Sequence, residues 1–361
     1  MRYLLTANNT LIVRGPGSVR LLNGDALVLG GLLQSDRKLV VREEKQIPIE
    51  ASSDAEIEIT LGESGKVFEV TGSTIPESWK LTVDALAEME QGKLMVIGAT
   101  DVGKSTLCTF LANELLKRGL RTCIIDADIG QADIGPPTTV ASAIPTSFLS
   151  SLVDLTPEAL IFIGDTSPSK VETKLIKGIQ RLLNRAGERL SVINTDGWIL
   201  DPAAILYKIN LIRAIQPDLV IGISAGTELD PILSAARARS MKVQAPENVL
   251  PRSRTDRREI RNAGYRRFLA EGSVRTFPID KFSVRMPNGL PPLQRWKTQD
   301  LQNLIVGFLD GEDYLLQIGV LLDFGNGLLK VYSRPVEDAR HIEVGYVKLL
   351  IDGTELGYLE V

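Results

Sequence analysis

The sequence has little histidine and cysteine, with one histidine and two cysteines among 361 residues. Two cysteines and one distant histidine, His341, cannot supply the ligands of a structural zinc site, and they argue against histidine as a catalytic base. Cys108 and Cys123 lie in apolar stretches, so we expect buried, reduced thiols rather than a disulfide or a metal pair. His341 stands in a strand-like segment, where we expect a surface residue.

Long hydrophobic runs are also absent. No segment approaches the length of a membrane span, and the apolar part of the N-terminal segment is too short for a secretory signal. We therefore expect a soluble, cytoplasmic protein without a membrane partner. The net charge of −4 argues against coating of nucleic acid by bulk electrostatics. A hydrophobic content of 44% is enough for packed cores in two or three domains.

A complete G-x-x-x-x-G-K-[ST] motif is present. An apolar run at residues 94–97 precedes it and a helical pattern at residues 104–118 follows it, so the motif connects a buried strand to a helix. Backbone N–H groups and the positive helix end of such a loop bind polyphosphate. Lys104 then reaches the outer phosphates, and the Ser105 hydroxyl holds Mg²⁺ or another divalent metal. The predicted nucleotide-binding residues are Gly98, Ala99, Thr100, Asp101, Val102, Gly103, Lys104, Ser105 and Thr106.

A pair of carboxylates follows the next predicted strand, at residues 122–125. Asp126 and Asp128 come at its C-terminal end, which lies beside the phosphate loop in sheets of this kind. There they can orient a metal ion or accept a proton. The alternative is that both only form a turn with Gly130, which leaves two carboxylates beside a phosphate site without a role.

Arginine, without lysine, dominates residues 252–261. The planar guanidinium matches the geometry of phosphate oxygens, so the cluster favours a phosphate clamp. The alternative is a solvated helix face on which Asp256 and Glu259 are the acidic partners of the arginines. For any single arginine, the sequence favours neither interpretation.

Polar turns follow other predicted strands of the same region. Residues 194–198 read NTDGW, and Trp198 either stacks on a nucleobase or packs, half-buried, on the following helix. The turn at residues 164–168 either contacts phosphate or caps the next helix. We expect the proline-containing loop at residues 135–139 to be rigid and polar.

The pattern along the chain changes twice. Short alternating stretches separated by turn residues indicate a small β-sandwich or barrel at residues 1–76. Residues 77–271 alternate between strands and helices, which predicts a parallel sheet covered on both faces, and strand-like runs return at residues 272–361. We therefore expect an α/β fold in which a central P-loop domain at 77–271, with its arginine segment, is flanked by an N-terminal β-sandwich-like domain and a C-terminal β-rich domain.

Individual elements follow from the same periodicities. Helices are predicted at residues 77–90, 104–118, 172–184 and 203–215. Strands are predicted at residues 10–13, 19–22, 26–29, 39–42, 56–61, 67–70, 94–97, 122–125, 159–164, 191–195, 218–224, 304–309, 315–322, 328–332 and 344–351.

Taken in order, the motifs resemble those of one family. They are the phosphate loop, Asp128-x-Gly130-Gln131, Asn194-Thr195-x-Gly197-Trp198, and the arginine segment from Arg252. This combination resembles the polynucleotide 5′-hydroxyl kinases, which include the kinase subunit of the mRNA 3′-end cleavage machinery and the nucleolar pre-rRNA kinase. The present chain looks like a compact archaeal form.

The resemblance implies an ATP-dependent kinase that acts on the 5′-hydroxyl end of RNA, with DNA as a second candidate acceptor. It implies that Asp128 is the general base and, with Ser105, a metal ligand, and that Lys104 is also catalytic. It further implies that the residues that bind the acceptor are Gln131, Thr195, Gly197 and Trp198. The family's mobile lid would correspond to Arg252 and Arg257. The adenine would lie between the N-terminal and central domains, through residues that the sequence does not identify, and protein partners are not identified either.

Two other function classes are open at this point. A catalytically silent ATP-binding scaffold of an RNA-processing assembly would also carry the phosphate loop, and only turnover separates it from a kinase. A P-loop GTPase or partition-type ATPase is disfavoured, because the sequence has no N-K-x-D guanine motif and its phosphate loop lacks the extra lysine of the partition type.

Overall fold

The structure is a computed structural model that describes residues 1–43, 45–86, 89–287 and 289–360. The chain forms two compact units. Unit 1 consists of Met1–Ile124, Ile144–Thr156 and Ala186–Arg252, and unit 2 consists of Ile125–Ala143, Pro157–Arg185 and Ser253–Val361. The three domains expected from the sequence, with bounds 1–76, 77–271 and 272–361, stay a prediction.

Unit 1 begins with nine strands in two antiparallel sheets, ordered β1-β8-β3-β6 and β5-β4-β7-β2-β9. The strands are β1 (Arg2–Leu5), β2 (Thr10–Arg14), β3 (Gly17–Asn23), β4 (Ala26–Val28), β5 (Gly31–Leu32), β6 (Leu39–Val41), β7 (Gln46–Ala51), β8 (Ala55–Leu61) and β9 (Lys66–Val70). In β8, Ala55, Ile57 and Ile59 are buried in alternation with more exposed residues, which is the pattern of a sheet with one covered face. The predicted β-rich N-terminal region is confirmed, although β1, β5 and β7 were not predicted.

The next part of the chain alternates between helices and strands. Its elements are α1 (Glu77–Leu86), β10 (Gly92–Gly98), α2 (Lys104–Lys117), β11 (Thr122–Ala127), β12 (Thr139–Ala143), β13 (Ala159–Phe162), α3 (Glu172–Ala186), β14 (Leu190–Thr195), α4 (Pro202–Ile215), β15 (Leu219–Ile223), α5 (Asp230–Ala236), β16 (Ser240–Val243) and α6 (Arg254–Leu269). The helix predicted at residues 77–90 is present as α1; Ala87 and Glu88, within that prediction, lie outside the described residues.

A parallel sheet in unit 1 carries the phosphate loop. Strand β10 pairs in parallel with β14 and β15, and β15 pairs in parallel with β16, which confirms the predicted parallel sheet. Residues 94–97 of β10 are fully buried, as a strand covered on both faces requires. Val96 lies opposite Asn194 in this register, so the phosphate loop and the NTDGW turn leave the sheet at the same edge.

Strands β12 and β13 in unit 2 depart from the sequence analysis. The strand predicted at 159–164 is Ala159–Phe162, and it pairs antiparallel with β12, which was not predicted. A parallel connection usually crosses over through a helix. The segment between β12 and β13 contains only a short 3₁₀ helix, Leu152–Asp154, so the alternation of strands and helices is interrupted here.

Unit 2 ends in an all-strand sheet, ordered β17-β21-β20-β19-β22-β18, with β23 paired to β22. Its elements, with one short helix, are β17 (Ser273–Pro278), β18 (Ser283–Arg285), α7 (Thr298–Leu301), β19 (Leu304–Leu309), β20 (Leu315–Gly325), β21 (Leu328–Ser333), β22 (His341–Leu349) and β23 (Glu355–Tyr358). Helix α6 packs on this sheet, because Tyr265 and Leu269 share a buried cluster with Ile305, Ile318 and Val347. The predicted β-rich C-terminal region is confirmed.

Candidate nucleotide-binding and catalytic residues

The phosphate loop has the backbone of an anion cradle. Gly98, Asp101 and Gly103 have positive φ angles of 157°, 58° and 98°. Glycine adopts such angles without the steric cost that a Cβ imposes, whereas Asp101 is one of the few non-glycine residues held there. These angles turn the chain from β10 into α2 within a few residues. Successive N–H groups in such turns form concave anion sites.

The first turn of α2 supplies the positive end of the cradle. Gly103 is the residue before the helix, and no side chain among the described residues caps it. The first N–H groups of a helix need acceptors, and an uncapped N-terminus with its helix dipole accommodates phosphate oxygens. The Lys104 amine folds back over the loop and donates to the Ala99 carbonyl oxygen at 2.7 Å. These residues therefore fit the triphosphate of a nucleotide.

The NTDGW turn lies directly against this loop. A Cβ on Gly197 would lie 2.6 Å from the backbone nitrogen of Thr100, so only glycine fits there. The Asn194 amide donates to the Ser105 hydroxyl at 3.3 Å, and the Thr195 hydroxyl donates to the carbonyl oxygen of Val96 at 2.8 Å. The structure thus brings together, in unit 1, the predicted nucleotide-binding residues and three residues of the NTDGW turn.

Trp198 packs on the helix that follows it. Its ring is half-buried and stacks on Tyr207 of α4, with ring centroids 5.8 Å apart and an interplanar angle of 25°. The indole N–H donates to the Asp201 carboxylate, which also caps α4. Hydrogen bonds from the Ala204 amide and this indole lower the pKa of Asp201. Of the two alternatives, packing on the helix is observed, and a role of Trp198 in binding the acceptor stays a prediction.

Asp196, in the middle of the turn, was not singled out from the sequence. Its carboxylate accepts hydrogen bonds from the Tyr207 hydroxyl and the Lys208 amine, both at 2.8 Å. It also accepts the Trp198 backbone amide at 3.0 Å. Lys208 is fully buried, and its amine donates in addition to the carbonyl oxygen of Asp196 at 2.8 Å. This group of residues anchors the NTDGW turn to α4.

In unit 2, Asp128 organises the turn that follows it. Its Oδ1 atom accepts the backbone amides of Gly130 at 3.2 Å and of Gln131 at 2.9 Å. The turn-forming alternative is therefore observed, and it leaves the catalytic assignment of Asp128 untested. The Gln131 side chain donates to the carbonyl oxygens of Gly130 at 2.8 Å and Arg257 at 3.2 Å. Two predicted site residues, Gln131 and Arg257, are thus brought into contact.

Asp126 is the buried carboxyl beneath this turn. Its Oδ2 atom accepts the backbone amides of Asp133 at 2.7 Å and Ile134 at 3.1 Å. Burial, together with the nearby charges of Asp133 and Asp128, raises the pKa of Asp126 to about 7. A carboxyl with this pKa exchanges its proton near neutral pH.

The arginine segment divides between two roles. Arg252 in unit 1 contacts the phosphate loop: its backbone amide donates to Asp101 Oδ2 at 3.2 Å, and its guanidinium lies 3.7 Å from Oδ1. In α6 of unit 2, Arg261 forms two hydrogen bonds with Glu355, at 2.6 and 2.9 Å. Asp256 forms a capping box with Ser253 at the start of α6. The segment is helical, as one alternative required, but Arg261 pairs with Glu355 rather than with Asp256 or Glu259.

The turn at residues 164–168 caps the next helical segment. Asp165 Oδ1 accepts the Ser167 amide at 3.0 Å, and Ser167 is the N-cap of the 3₁₀ helix Pro168–Lys170. Burial raises the pKa of Asp165. The capping alternative is therefore observed.

Comparison with known proteins is consistent with this geometry. The family model described as "mRNA cleavage and polyadenylation factor CLP1 P-loop" matches residues 98–271. Among curated proteins, a polyribonucleotide 5′-hydroxyl-kinase of Pyrococcus horikoshii is 29% identical, over 79% of this chain and 94% of that protein. A kinase of the same name from Methanocaldococcus jannaschii is 28% identical, over 74% of this chain and 90% of that protein.

Residues 98–271 are thus similar to the P-loop region of CLP1 proteins. Polyribonucleotide 5′-hydroxyl-kinase Clp1 of Xenopus laevis is 27% identical, over 71% of this chain and 65% of that protein. The solved structure of Clp1p in a complex with Pcf11p superposes with a TM-score of 0.72, covering 96% of this chain and 97% of that chain. At 10% identity, this last similarity shows the fold alone.

The CLP1 P-loop fold also places residues beside the phosphate loop that the sequence did not identify. A Cβ on Gly103 would lie 3.3 Å from the Pro246 ring, in the loop after β16. This loop receives a hydrogen bond from the N-terminal sheets, since the Gln46 amide donates to the carbonyl oxygen of Asn248. The Trp79 indole donates to the carbonyl oxygen of Gln244 at 2.9 Å. No motif marks these residues, because the fold alone brings them to the loop.

Expectations for the remaining residues have mixed outcomes. Cys108 and Cys123 are buried, as predicted. His341 is not the expected surface residue: its side chain is 21% exposed, and Nε2 lies 3.7 Å from Asp313, because β22 is an inner strand of the C-terminal sheet. Within residues 1–43, 45–86, 89–287 and 289–360, no helix is long and apolar enough to cross a membrane.

A divalent metal fits the donor set of the phosphate loop. The Ser105 hydroxyl oxygen accepts a hydrogen bond from Asn194 and can serve as a metal ligand. Hard cations such as Mg²⁺ prefer oxygen ligands. Over the part of the chain that the structure describes, no cluster of three His, Cys, Asp or Glu side chains could hold a metal. Mg²⁺ itself usually keeps several waters and binds through one or two protein groups together with substrate phosphates.

Proposed function

We propose that this protein is an ATP-dependent polyribonucleotide 5′-hydroxyl-kinase. The main observation in its support is the close approach of Gly197 to Thr100, which places the NTDGW turn against the phosphate loop within one unit. The helix that follows this loop has no side-chain cap. Curated relatives that align over most of their length carry the name of this activity.

The phosphate loop binds ATP in this proposal. Amides of residues 98–106 and the Lys104 amine neutralise the β and γ phosphates, and charge neutralisation with in-line positioning provides most of the catalysis of phosphoryl transfer. Mg²⁺ or another divalent metal, held by Ser105 with Asp128 as the second proposed ligand, supplies further positive charge on the phosphates. For the adenine, we propose the neighbourhood of Pro246 and Gln46, because the loop after β16 contacts both Gly103 and the N-terminal sheets.

The acceptor is the 5′-hydroxyl end of RNA, with DNA as a second candidate. Asp128 accepts the proton of this hydroxyl, while Gln131, Thr195, Gly197 and Trp198 bind and orient the terminal nucleotide. Arg252 and Arg257 stabilise the charge on the transferred phosphoryl group. The product is a 5′-phosphorylated end, and a cytoplasmic location remains part of the proposal.

The test is transfer of label from [γ-³²P]ATP to a 5′-hydroxyl oligoribonucleotide. Asp128→Asn retains an oxygen that can accept the Gly130 and Gln131 amides, but it cannot take up a proton at neutral pH. We expect kcat to fall by about 10²- to 10⁴-fold, the usual contribution of a general base, with the Kd for metal-free ATP, measured with EDTA, within about twofold of wild type. Asp36→Asn, at an exposed carboxyl, is the matched control.

Two results separate the kinase from the other function classes. A wild-type protein that binds ATP but transfers no label with Mg²⁺, Mn²⁺ or Co²⁺ would be the silent scaffold instead. Preferential binding of GTP in calorimetry would favour a GTPase. Lys104→Ala tests the donor side separately: ATP affinity and turnover should both fall, whereas Lys117→Ala at the exposed end of α2 should change neither.

A further inference from the structure

A continuous chain of contacts leads from the Asp128 turn to the C-terminal sheet, entirely within unit 2. Its first step is at Gly130, whose amide donates to Asp128. A Cβ on Gly130 would lie 2.9 Å from the carbonyl oxygen of Thr166. The backbone of the 164–168 turn therefore lies directly against the turn that holds the proposed general base.

The second step joins Thr166 to an exposed aromatic residue. The Thr166 hydroxyl and the Tyr358 phenolic oxygen are 2.6 Å apart. Tyr358 is the last residue of β23, and 43% of it is exposed. An aromatic side chain that is anchored by its hydroxyl and still accessible is a suitable platform for a nucleobase.

Backbone hydrogen bonds hold this platform in place. The Tyr346 amide donates to the carbonyl oxygen of Gly164 at 2.7 Å, and the Leu359 amide donates to the carbonyl oxygen of Tyr346 at 2.7 Å. Tyr358 is also paired with Val347 across β22 and β23. The position of the tyrosine relative to the Asp128 turn is therefore determined by strand pairing rather than by a flexible loop.

The segment that carries Thr166 also carries a positive charge, which suits a phosphodiester. Lys170, an exposed residue, closes the 3₁₀ helix after the Thr166 turn, and its amine lies 5.9 Å from the centroid of the Tyr346 ring. Glu355 is 4% exposed and is paired with Arg261, and Glu343 is paired with Lys174. Asp165 is 5% exposed and accepts the Ser167 amide.

We propose that Tyr358 and Lys170 bind a nucleotide of the RNA acceptor downstream of the one that is phosphorylated. Tyr358 stacks on the base, and Lys170 contacts a backbone phosphate. This proposal rests on the proposed kinase function, since a 5′-hydroxyl at Asp128 leaves the rest of the strand to pass over neighbouring surfaces of the same unit. Stacking tolerates any base because every base has a π face, so the site selects for strand length rather than sequence.

The experiment compares two acceptors, a nucleoside 3′-phosphate, which has no downstream nucleotide, and a 5′-hydroxyl decaribonucleotide. For Tyr358→Ala and Lys170→Ala we expect about a tenfold higher KM for the decanucleotide, with unchanged kcat and an unchanged KM for the nucleoside 3′-phosphate. Tyr358→Phe keeps the ring and loses only the contact with Thr166, so it should stay within about threefold of wild type. Leu328→Ala, also on the C-terminal sheet and 43% exposed, is the control.

Direct binding provides a readout that does not depend on turnover. Fluorescence anisotropy with a labelled decanucleotide should show the same tenfold loss of affinity for Tyr358→Ala, at a melting temperature within a few degrees of wild type. Equal effects on both acceptors, or unchanged binding of the decanucleotide by the alanine variants, would refute the tyrosine site. Both results leave the kinase proposal intact, whereas a wild type that binds RNA but transfers no phosphate refutes the kinase alone.

Discussion

The amine of Lys208 donates at 2.8 Å to both the carboxylate and the backbone carbonyl of Asp196, and Lys208 is fully buried. A buried charge of this kind is tolerated because it is paired and hydrogen-bonded. The pair joins α4 to the turn that contacts Thr100 of the phosphate loop, so one ion pair supports the surroundings of the nucleotide site.

Lys208→Met should destabilise the protein by about 3–5 kcal/mol, since removal of one partner leaves the Asp196 carboxylate buried without its counter-charge. The free energy of unfolding from urea titration measures the effect. Lys242→Met is the matched control: Lys242 pairs with Asp230, both are more than 40% exposed, and loss of such a surface pair costs less than about 1 kcal/mol. Equal losses in the two variants would show that the buried pair has no special role.

Gly197→Ala should weaken ATP binding by about tenfold or more. The new methyl group would lie 2.6 Å from the backbone nitrogen of Thr100, so either the NTDGW turn or the phosphate loop must move. Isothermal titration calorimetry with ATP measures the change. Gly325→Ala introduces the same methyl group where no atom lies within 4 Å, and it should bind ATP like wild type. An unchanged affinity in Gly197→Ala would mean that the cradle is not sensitive to the position of the turn.

Local signals predicted the phosphate loop and its strand and helix, because glycine positions and apolar periodicity are properties of neighbouring residues. Lys208 illustrates what such signals miss. It is twelve residues from Asp196 in a helix, where a lysine is ordinarily expected to face solvent, and only the packing of α4 reveals its contact. Similarly, the antiparallel pairing of β12 with β13 depends on which strands meet in space, and periodicity within a strand does not encode that.

Arg252→Ala should lower kcat by about 10²-fold or more and change the Kd for ATP by less than about threefold. Asp101 holds Arg252 beside the phosphate loop, and an arginine that stabilises the transferred phosphoryl group acts in the transition state rather than in ground-state binding. Single-turnover transfer and calorimetry measure the two quantities. Arg254→Ala, at an exposed position, is the control. A loss confined to ATP affinity would instead make Arg252 a support for Asp101 and the loop.

The buried carboxyl of Asp126 should make stability depend on pH. Its pKa of about 7 lies above the ordinary value of 3.8, so the folded state binds this proton more tightly than the unfolded state. The stabilisation is complete below about pH 4 and is lost as the pH rises through 7, by a total on the order of 4 kcal/mol. Asp126→Asn cannot titrate, so the unfolding free energy of wild type relative to this variant should fall between pH 4.5 and 7.5, measured with EDTA and without nucleotide. Asp36→Asn controls for the loss of one carboxyl, and parallel curves for wild type and Asp126→Asn would show that Asp126 does not take up the proton on folding.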